Sequence, residues 1–244
     1  MAYEFYEYEH KVTTYETDFK GEMKPSAVLN HFQEAAGCNS FEMGIDTGAL
    51  RPQGKFWVLS KMYVVFDKPL HHKDVIKIKT WPHKPNKAIF ERSFQITHNE
   101  SVVARAISRW CILDINTQRI LPASQIIHKQ DNLIETRVVE CDDWRILGIE
   151  DKKEPDFSIC IYHSEYDLNY HVNNVKYIDY VLNCFSVKEL TDNRIKSLQI
   201  NFVKQSHEKD VLDFYKKPVG ENKYIIEGVK NHNETVVLAN VIFQ

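Results

Sequence analysis

The chain repeats itself once, and that constrains its fold more than any other feature. The run His98-Asn99-Glu100-Ser101-Val102-Val103-Ala104-Arg105-Ala106-Ile107 returns 134 residues later as His232-Asn233-Glu234-Thr235-Val236-Val237-Leu238-Ala239-Asn240-Val241. Upstream, His71-His72-Lys73-Asp74-Val75 returns 136 residues later as His207-Glu208-Lys209-Asp210-Val211, and Asn86-Lys87 and Glu91 keep the same offset with Asn222-Lys223 and Glu227. Tyr15-Glu16-Thr17-Asp18-Phe19 can be laid on Tyr162-His163-Ser164-Glu165-Tyr166. Several matches in one order at nearly one offset argue for a duplicated domain rather than a short-period solenoid. The 244 residues fit one to two domains at roughly 150 residues each.

Each half follows one plan: a strand, a helix, then a series of strands. Lys24-Pro25-Ser26 opens the first helix, since proline suits the first helical turn. Val28, Phe32 and Ala35 share a face, and Gly37 is the expected stop. Trp57 to Phe66, Asp74 to Thr80, Ala88 to Thr97 and Val102 to Asp114 read as strands; in the second of these Ile76 and Ile78 alternate with Lys77 and Lys79. The second half repeats the order: a helix near Val172 to Phe185, then strands near Ser197 to Lys204, Val211 to Lys216, Tyr224 to Lys230 and Thr235 to Phe243. His98-Asn99-Glu100 and His232-Asn233-Glu234 are expected as hairpin turns. The stretch from about Asp131 to Glu154 shows no clear period and is expected to connect the halves. The fold class is α+β: in each half one helix wrapped by a curved antiparallel sheet.

A net charge of −3 argues against nucleic acid as a partner, because such partners need a concentrated basic face. No apolar run approaches the roughly 18 residues needed for a membrane span, and the start MAYEFYEYEH lacks the pattern of a signal peptide. Cys38, Cys111, Cys141, Cys160 and Cys184 are scattered and nowhere spaced C-x-x-C, so neither a zinc cage nor a disulfide framework is expected. No metal or cofactor is expected either, and a reducing cytoplasm fits best. His71 and His72 read as a solvated turn.

The densest polar cluster is Asp167-Leu168-Asn169-Tyr170-His171-Val172-Asn173-Asn174, just before the second helix. His171, Val175, Ile178, Leu182 and Phe185 would share one helical face. A helix start offers free backbone N–H groups and the positive end of the dipole, able to hold an oxyanion. Asp167 and Asn169 alternate in an extended entry and can face the same way. Asn and Asp here could equally be simple helix caps. The matching first-half segment, Lys20-Gly21-Glu22-Met23-Lys24-Pro25, starts a helix without an Asp-x-Asn-x-His set, which favours function.

Asp167 to Ile178 resembles the D-x-N-x-H-V-N-N-x-K-Y-I motif of the acyl-ACP thioesterases of plants and bacteria. Leu29-Asn30-His31-Phe32-Gln33-Glu34 and Trp57-Val58-Leu59-Ser60-Lys61-Met62 are similar landmarks in the first half. The resemblance implies two tandem hotdog domains: residues 1–135 shaping the acyl pocket, 136–155 as a linker, and 156–244 carrying catalysis. It implies hydrolysis of fatty acyl-[acyl carrier protein], ending chain elongation in fatty acid biosynthesis, with Asp167, Asn169 and His171 as catalytic residues. The family's further acidic residue and the position after it fall on Gln205 and Ser206. Glutamine cannot serve as a base. So either His171 activates water, with Asp167 setting its tautomer, or Glu208 is the relevant acid, or the enzyme is slow. A nucleophilic Ser206 has no assigned base.

Asn173, Phe32, Met43 and Trp57 are expected to touch substrate. Lys84, Lys87 and Arg92, or else Lys216 and Lys217, are expected to dock the acidic carrier. An acyl-CoA thioesterase of the same fold and a catalytically weak acyl-binding protein stay open, as does a homodimer paired through sheet edges.

Overall fold

The computed structural model describes residues 5–126, 133–231 and 233–244. The start of the chain, Asp131 and Asn132 of the connection, and His232 of the second turn lie outside the described residues. Two compact units divide the chain, residues 1–141 and 142–244.

The first unit comprises β1 (Tyr6–Lys11), α1 (Pro25–Glu42), α2 (Thr47–Leu50), β2 (Lys55–Phe66), β3 (Val75–Pro82), β4 (Phe90–His98) and β5 (Ser101–Asp114). Its strands pair antiparallel in the order β1-β3-β4-β5-β2. Alternation sets the register: Ile78 pairs with Ile96, and Ile96 with Ala104, all three buried on one face. α1 lays Val28, Leu29, Phe32, Ala35 and Ala36 against that face. Phe32 meets Phe94 with ring centroids 4.9 Å apart. Such packing of a wide apolar stripe is what stabilises α1.

Gly37 does not stop the helix. It keeps helical backbone while α1 runs on to Glu42. The stop falls at Gly44, whose φ of 70° closes a C-terminal cap in which the Ile45 N–H reaches the Ser40 carbonyl. A mid-helix glycine only weakens a helix, and burial of the stripe on both sides outweighs that cost.

The second unit comprises β6 (Phe157–Cys160), α3 (Asn174–Leu182), α4 (Val187–Asp192), β7 (Ile195–Phe202), β8 (Val211–Gly220), β9 (Lys223–Lys230) and β10 (Glu234–Phe243). Its order is β6-β8-β9-β10-β7, the same plan as the first unit. The short α4 rests on a reciprocal cap between Ser186 and Glu189, a local signal the hydrophobic pattern alone passes over. The His71–Asp74 turn recurs at His207–Asp210. In both, the fourth residue's carboxylate accepts the first residue's N–H, and Lys73 and Lys209 hold φ of 75° and 69°.

The connecting segment contains neither helix nor strand between residues 133 and 156, yet it is bound to both sheets. Within the first unit, Trp81 donates to the Thr136 carbonyl and Arg105 to the Val138 carbonyl. Within the second, Asn201 donates to the Trp144 carbonyl, and the buried Glu227 accepts the Ile149 N–H and pairs with Lys152 at 3.0 Å.

Glu16, buried before α1, ties the entry loop of the first unit to its helix. Its carboxylate accepts from His10 Nε2 (2.9 Å), His31 Nε2 (2.7 Å), and the Thr13 N–H and hydroxyl; the Tyr8 hydroxyl bonds His31 Nδ1 at 2.7 Å. No metal was expected from the sequence; among the described residues, His10, Glu16 and His31 are a group whose ligand atoms lie within 4.8 Å of one another. The His–Glu separations are hydrogen-bond distances, shorter than the roughly 3.3 Å between ligand atoms around a tetrahedral zinc. Burial raises the Glu16 pKa, but the four hydrogen bonds win and hold it at about 2. The stability this adds is complete above the unfolded value near 4.5 and is lost as pH falls towards 2. Glu16→Gln should therefore cost about 2 kcal/mol at pH 7 and progressively less below pH 4, read by urea unfolding at several pH values.

Candidate active site

The Asp167–His171 segment is a tight loop between a single helical turn at His163–Glu165 and α3. The Asp167 carboxylate accepts the Asn169 N–H at 2.8 Å, the Tyr170 N–H reaches the Asp167 carbonyl, and the Asp167 N–H reaches the His171 carbonyl. Tyr170 sits at φ 64°, a left-handed position that fixes the loop's reversal. A bridge from Tyr166 to Val172 closes its base.

Every one of these features recurs in the first unit, 149 residues earlier, where a bridge joins Thr17 to Met23. Asp18 accepts the Lys20 N–H at 2.8 Å, and its own N–H reaches the Glu22 carbonyl. Gly21, at φ 75°, takes the place of Tyr170. Glu16 thus corresponds to Glu165, and His31 on α1 to Tyr180 on α3, which donates to Glu165. The alignment of Tyr15–Phe19 with Tyr162–Tyr166 is corrected by two positions, and the segment starting at Lys20 omits the Asp that both loops share. Asp167 and Asp18 both hold their loop together. What distinguishes the second loop is Asn169 where the first has Lys20, and His171 where the first has Glu22.

His171 is half-buried in the loop three residues before α3 begins, not on the helical face expected for it. Its Nδ1 lies 3.8 Å from the Asp167 carboxylate, beyond hydrogen-bond range but close enough for charge to be felt. Its ring centroid is 6.3 Å from that of His207. Burial lowers the His171 pKa below 6.5 and His207 lowers it further, while Asp167 pulls the other way; the imidazole is neutral at pH 7. The Asn169 side chain makes no hydrogen bond among the described residues and is free to meet a ligand.

The other expected residues separate. Asn173 caps α3, its side chain accepting the Val175 N–H at 3.0 Å. Ser206 is fully buried, receives the Tyr177 hydroxyl at 2.8 Å, and offers its carbonyl to the Val172 N–H. It anchors the start of α3. Tyr177→Phe should leave that buried hydroxyl without its donor and cost about 1 kcal/mol, measurable by thermal unfolding. Gln205 is exposed, and its carbonyl accepts from Lys230. Glu208 is exposed, its N–H reaching the Tyr166 hydroxyl.

In the first unit Phe32 lies in the core. Trp57 packs edge-on to Phe90, with its Nε1 donating to the Ile45 carbonyl, and Met43 ends α1 half-exposed. Lys84 and Lys87 are exposed. Arg92 is not a docking residue: it is buried beneath α1, held by Asn39 and Thr80. It stands on β4 in register with inward-facing Phe94, so the alternation that carries Phe94 inside carries Arg92 with it. Lys216 pairs with Glu189 over the Phe185 ring, while Lys217 is exposed.

Comparison with known proteins follows the same two-part division. Residues 3–129 match the acyl-ACP thioesterase N-terminal domain, and residues 150–244 match the C-terminal domain. A palmitoyl-acyl carrier protein thioesterase of Arabidopsis thaliana is 25% identical over 214 residues, covering 82% of this chain and 52% of that one. An oleoyl-acyl carrier protein thioesterase of Coriandrum sativum is 22% identical, covering 85% of this chain and 61% of that one. The chain thus spans about half the length of the first curated relatives it matches. An acyl-ACP thioesterase from Bacteroides thetaiotaomicron has the same fold, with a TM-score of 0.90 at 24% identity and coverage of 99% and 98% of the two chains. The 12:0-ACP thioesterase from Umbellularia californica has a TM-score of 0.87 at 17% identity, over 100% and 98%. Each unit is therefore a hotdog, and with both halves of the family pattern matched in order the chain belongs to the acyl-ACP thioesterase family.

Proposed function

We propose that the protein hydrolyses the thioester of fatty acyl-[acyl carrier protein], releasing a free fatty acid. The observation that carries the reading is half-buried His171, 3.8 Å from the Asp167 carboxylate, on a loop whose duplicate has Glu22 at that position. His171 takes a proton from water, and the hydroxide attacks the thioester carbonyl. The Asn169 side chain stabilises the oxyanion. The C–S bond then breaks, and the imidazolium returns its proton to the leaving phosphopantetheine thiolate. Asp167 holds the loop and favours the charged imidazolium. Exposed Gln205 and buried Ser206 take no part in this scheme. The second unit is the catalytic one and the first shapes the acyl site; Lys84 and Lys87 are the candidate contacts for the acidic carrier. A cytoplasmic address belongs to the same reading, supported by the thiols of Cys38, Cys111, Cys160 and Cys184.

The test is steady-state hydrolysis of one acyl chain on carrier protein and on coenzyme A. A higher kcat/KM on carrier protein supports the reading; a preference for coenzyme A overturns the choice of carrier, and no hydrolysis of either overturns the chemistry. The pH profile is a further check. Because the neutral imidazole is the active form, kcat/KM should be flat near neutrality and fall as pH drops through a pKa below 6.5. His207→Gln removes an influence that lowers this pKa, so the acid limb should move up in pH. Asp167→Asn keeps the acceptor for the Asn169 N–H but removes the charge, so the limb should move down.

A further inference from the structure

A cation with no opposite charge is costly inside a protein. Arg92 is 8% exposed and stands on the inward row of β4 between Phe90 and Phe94. Its Nη1 donates to Asn39 Oδ1 at 2.7 Å and Thr80 Oγ1 at 3.3 Å, both neutral. The adjacent Glu91 is on the other face of the strand and is taken by Arg109 and Arg137. Burial alone pulls the guanidinium down to about 9, so it stays charged at neutral pH.

The local acceptors are used and the donors are not. Thr80 gives its own hydroxyl proton to the Ser93 carbonyl, and Asn39 Oδ1 is occupied. Among the described residues, Asn39 Nδ2 is fully buried with no hydrogen-bond partner, and both side-chain bonds of Arg92 run from Nη1, leaving Nε and Nη2 without one. An unfilled donor cluster of this kind suits an anionic oxygen, above all a carboxylate that a guanidinium can grip with two bonds.

The neighbourhood suits a chain. The buried residues of α1 are apolar at Val28, Leu29, Phe32, Ala35 and Ala36, with His31 among them, and Asn39 follows roughly 16 Å along the helix from Val28. Opposite it, Arg92 and Phe94 pair with Ser108 and Ala106 of β5, and Ile96 with Ala104. Small side chains stand on both sides, Ala35 and Ala36 on the helix and Ala104, Ala106 and Ser108 on the sheet, around the ring contact of Phe32 with Phe94.

We propose that Arg92 and Asn39 form the polar end of the acyl site and select chains that carry a carboxylate at the end remote from the thioester. This rests on the thioesterase reading for its substrate and adds the class of chain. Carrier protein is loaded with chains of equal length ending in a methyl group or a carboxylate, and kcat/KM is measured for wild type and Arg92→Met. Wild type should prefer the carboxylate-ended chain. Arg92→Met should lower the carboxylate-to-methyl ratio on the order of 100-fold, the scale set by hydrogen bonds between charged groups. Arg92→Lys keeps the charge and should retain part of the preference, and Asn39→Leu should weaken it, so the outcome does not depend on one variant folding. An equal ratio in wild type and variants overturns the proposal. If wild type hydrolyses neither chain, the chemistry fails and binding decides separately. Calorimetric titration with acyl-pantetheine amides should then show tighter binding of the carboxylate-ended amide, lost in Arg92→Met. Equal binding of the two amides, or binding of neither, overturns it.

Discussion

His171→Ala should lower kcat by about 10² to 10⁴, the range a positioned general base contributes, with little change in KM and a melting temperature close to wild type. The loop's own hydrogen bonds explain why stability should survive. They run through the Asp167 carboxylate and backbone groups, including the His171 carbonyl, which alanine keeps. Among the described residues, the polar and ring contacts of the imidazole are the 3.8 Å approach to Asp167 and the edge-on contact with His207. The internal duplicate supplies the control: Glu22→Ala alters the corresponding position of the first unit and should leave turnover unchanged. Activity retained in His171→Ala would remove the catalytic assignment. A loss of folding would show that the side chain carries structural weight its contacts do not suggest.

Gly228→Ala should produce the largest loss of stability. Gly228 lies in β9, paired with Phe214 of β8 and Val237 of β10. A Cβ there would stand 2.7 Å from both a Phe214 ring carbon and a Val237 methyl. Phe214 cannot swing away freely, because it is fully buried and packed against Phe157 and Tyr180, with ring centroids 5.9 and 5.7 Å off. Overpacking of this kind costs typically 1–3 kcal/mol, and the two-sided clash puts Gly228→Ala at about 3 kcal/mol. For a unit of this size that is a melting temperature lower by roughly 14 °C. Phe214→Leu should offset part of the loss, so the double variant should be more stable than the sum of the single effects predicts. Strict additivity in calorimetry would show that the ring is not what resists the new methyl.

The strands were legible in the sequence because alternation and β-branched residues mark a half-buried sheet, and the repeat fixed their order twice over. The Lys-Asp turn was legible for a local reason: Lys73 and Lys209 take the left-handed position, and the carboxylate that follows each one closes the turn. The start of the duplicate was harder to read. The offset between the halves is 149 before the helix and 136 after it, because α1 and the short α2 make the first unit longer there. Similar letters then aligned two positions out of step, which hid the shared aspartate. A better signal was Gly21, since a glycine three residues after an aspartate marks the same reversal that Tyr170 makes. The charge of Arg92 suggests surface, while its register with Phe94 puts it inside. The buried network around Glu16 depends on residues brought together from β1, the entry loop and α1, which no spacing in the sequence reveals.

The paired entry loops also bear on how such a protein can change. Because Asp18 and Gly21 already impose the same reversal as Asp167 and Tyr170, the first copy offers the same backbone frame with different side chains. Lys20→Asn and Glu22→His together would install the missing amide and imidazole without redrawing any backbone. A chain that holds one backbone mould twice can vary the side chains of one copy while the other keeps its own.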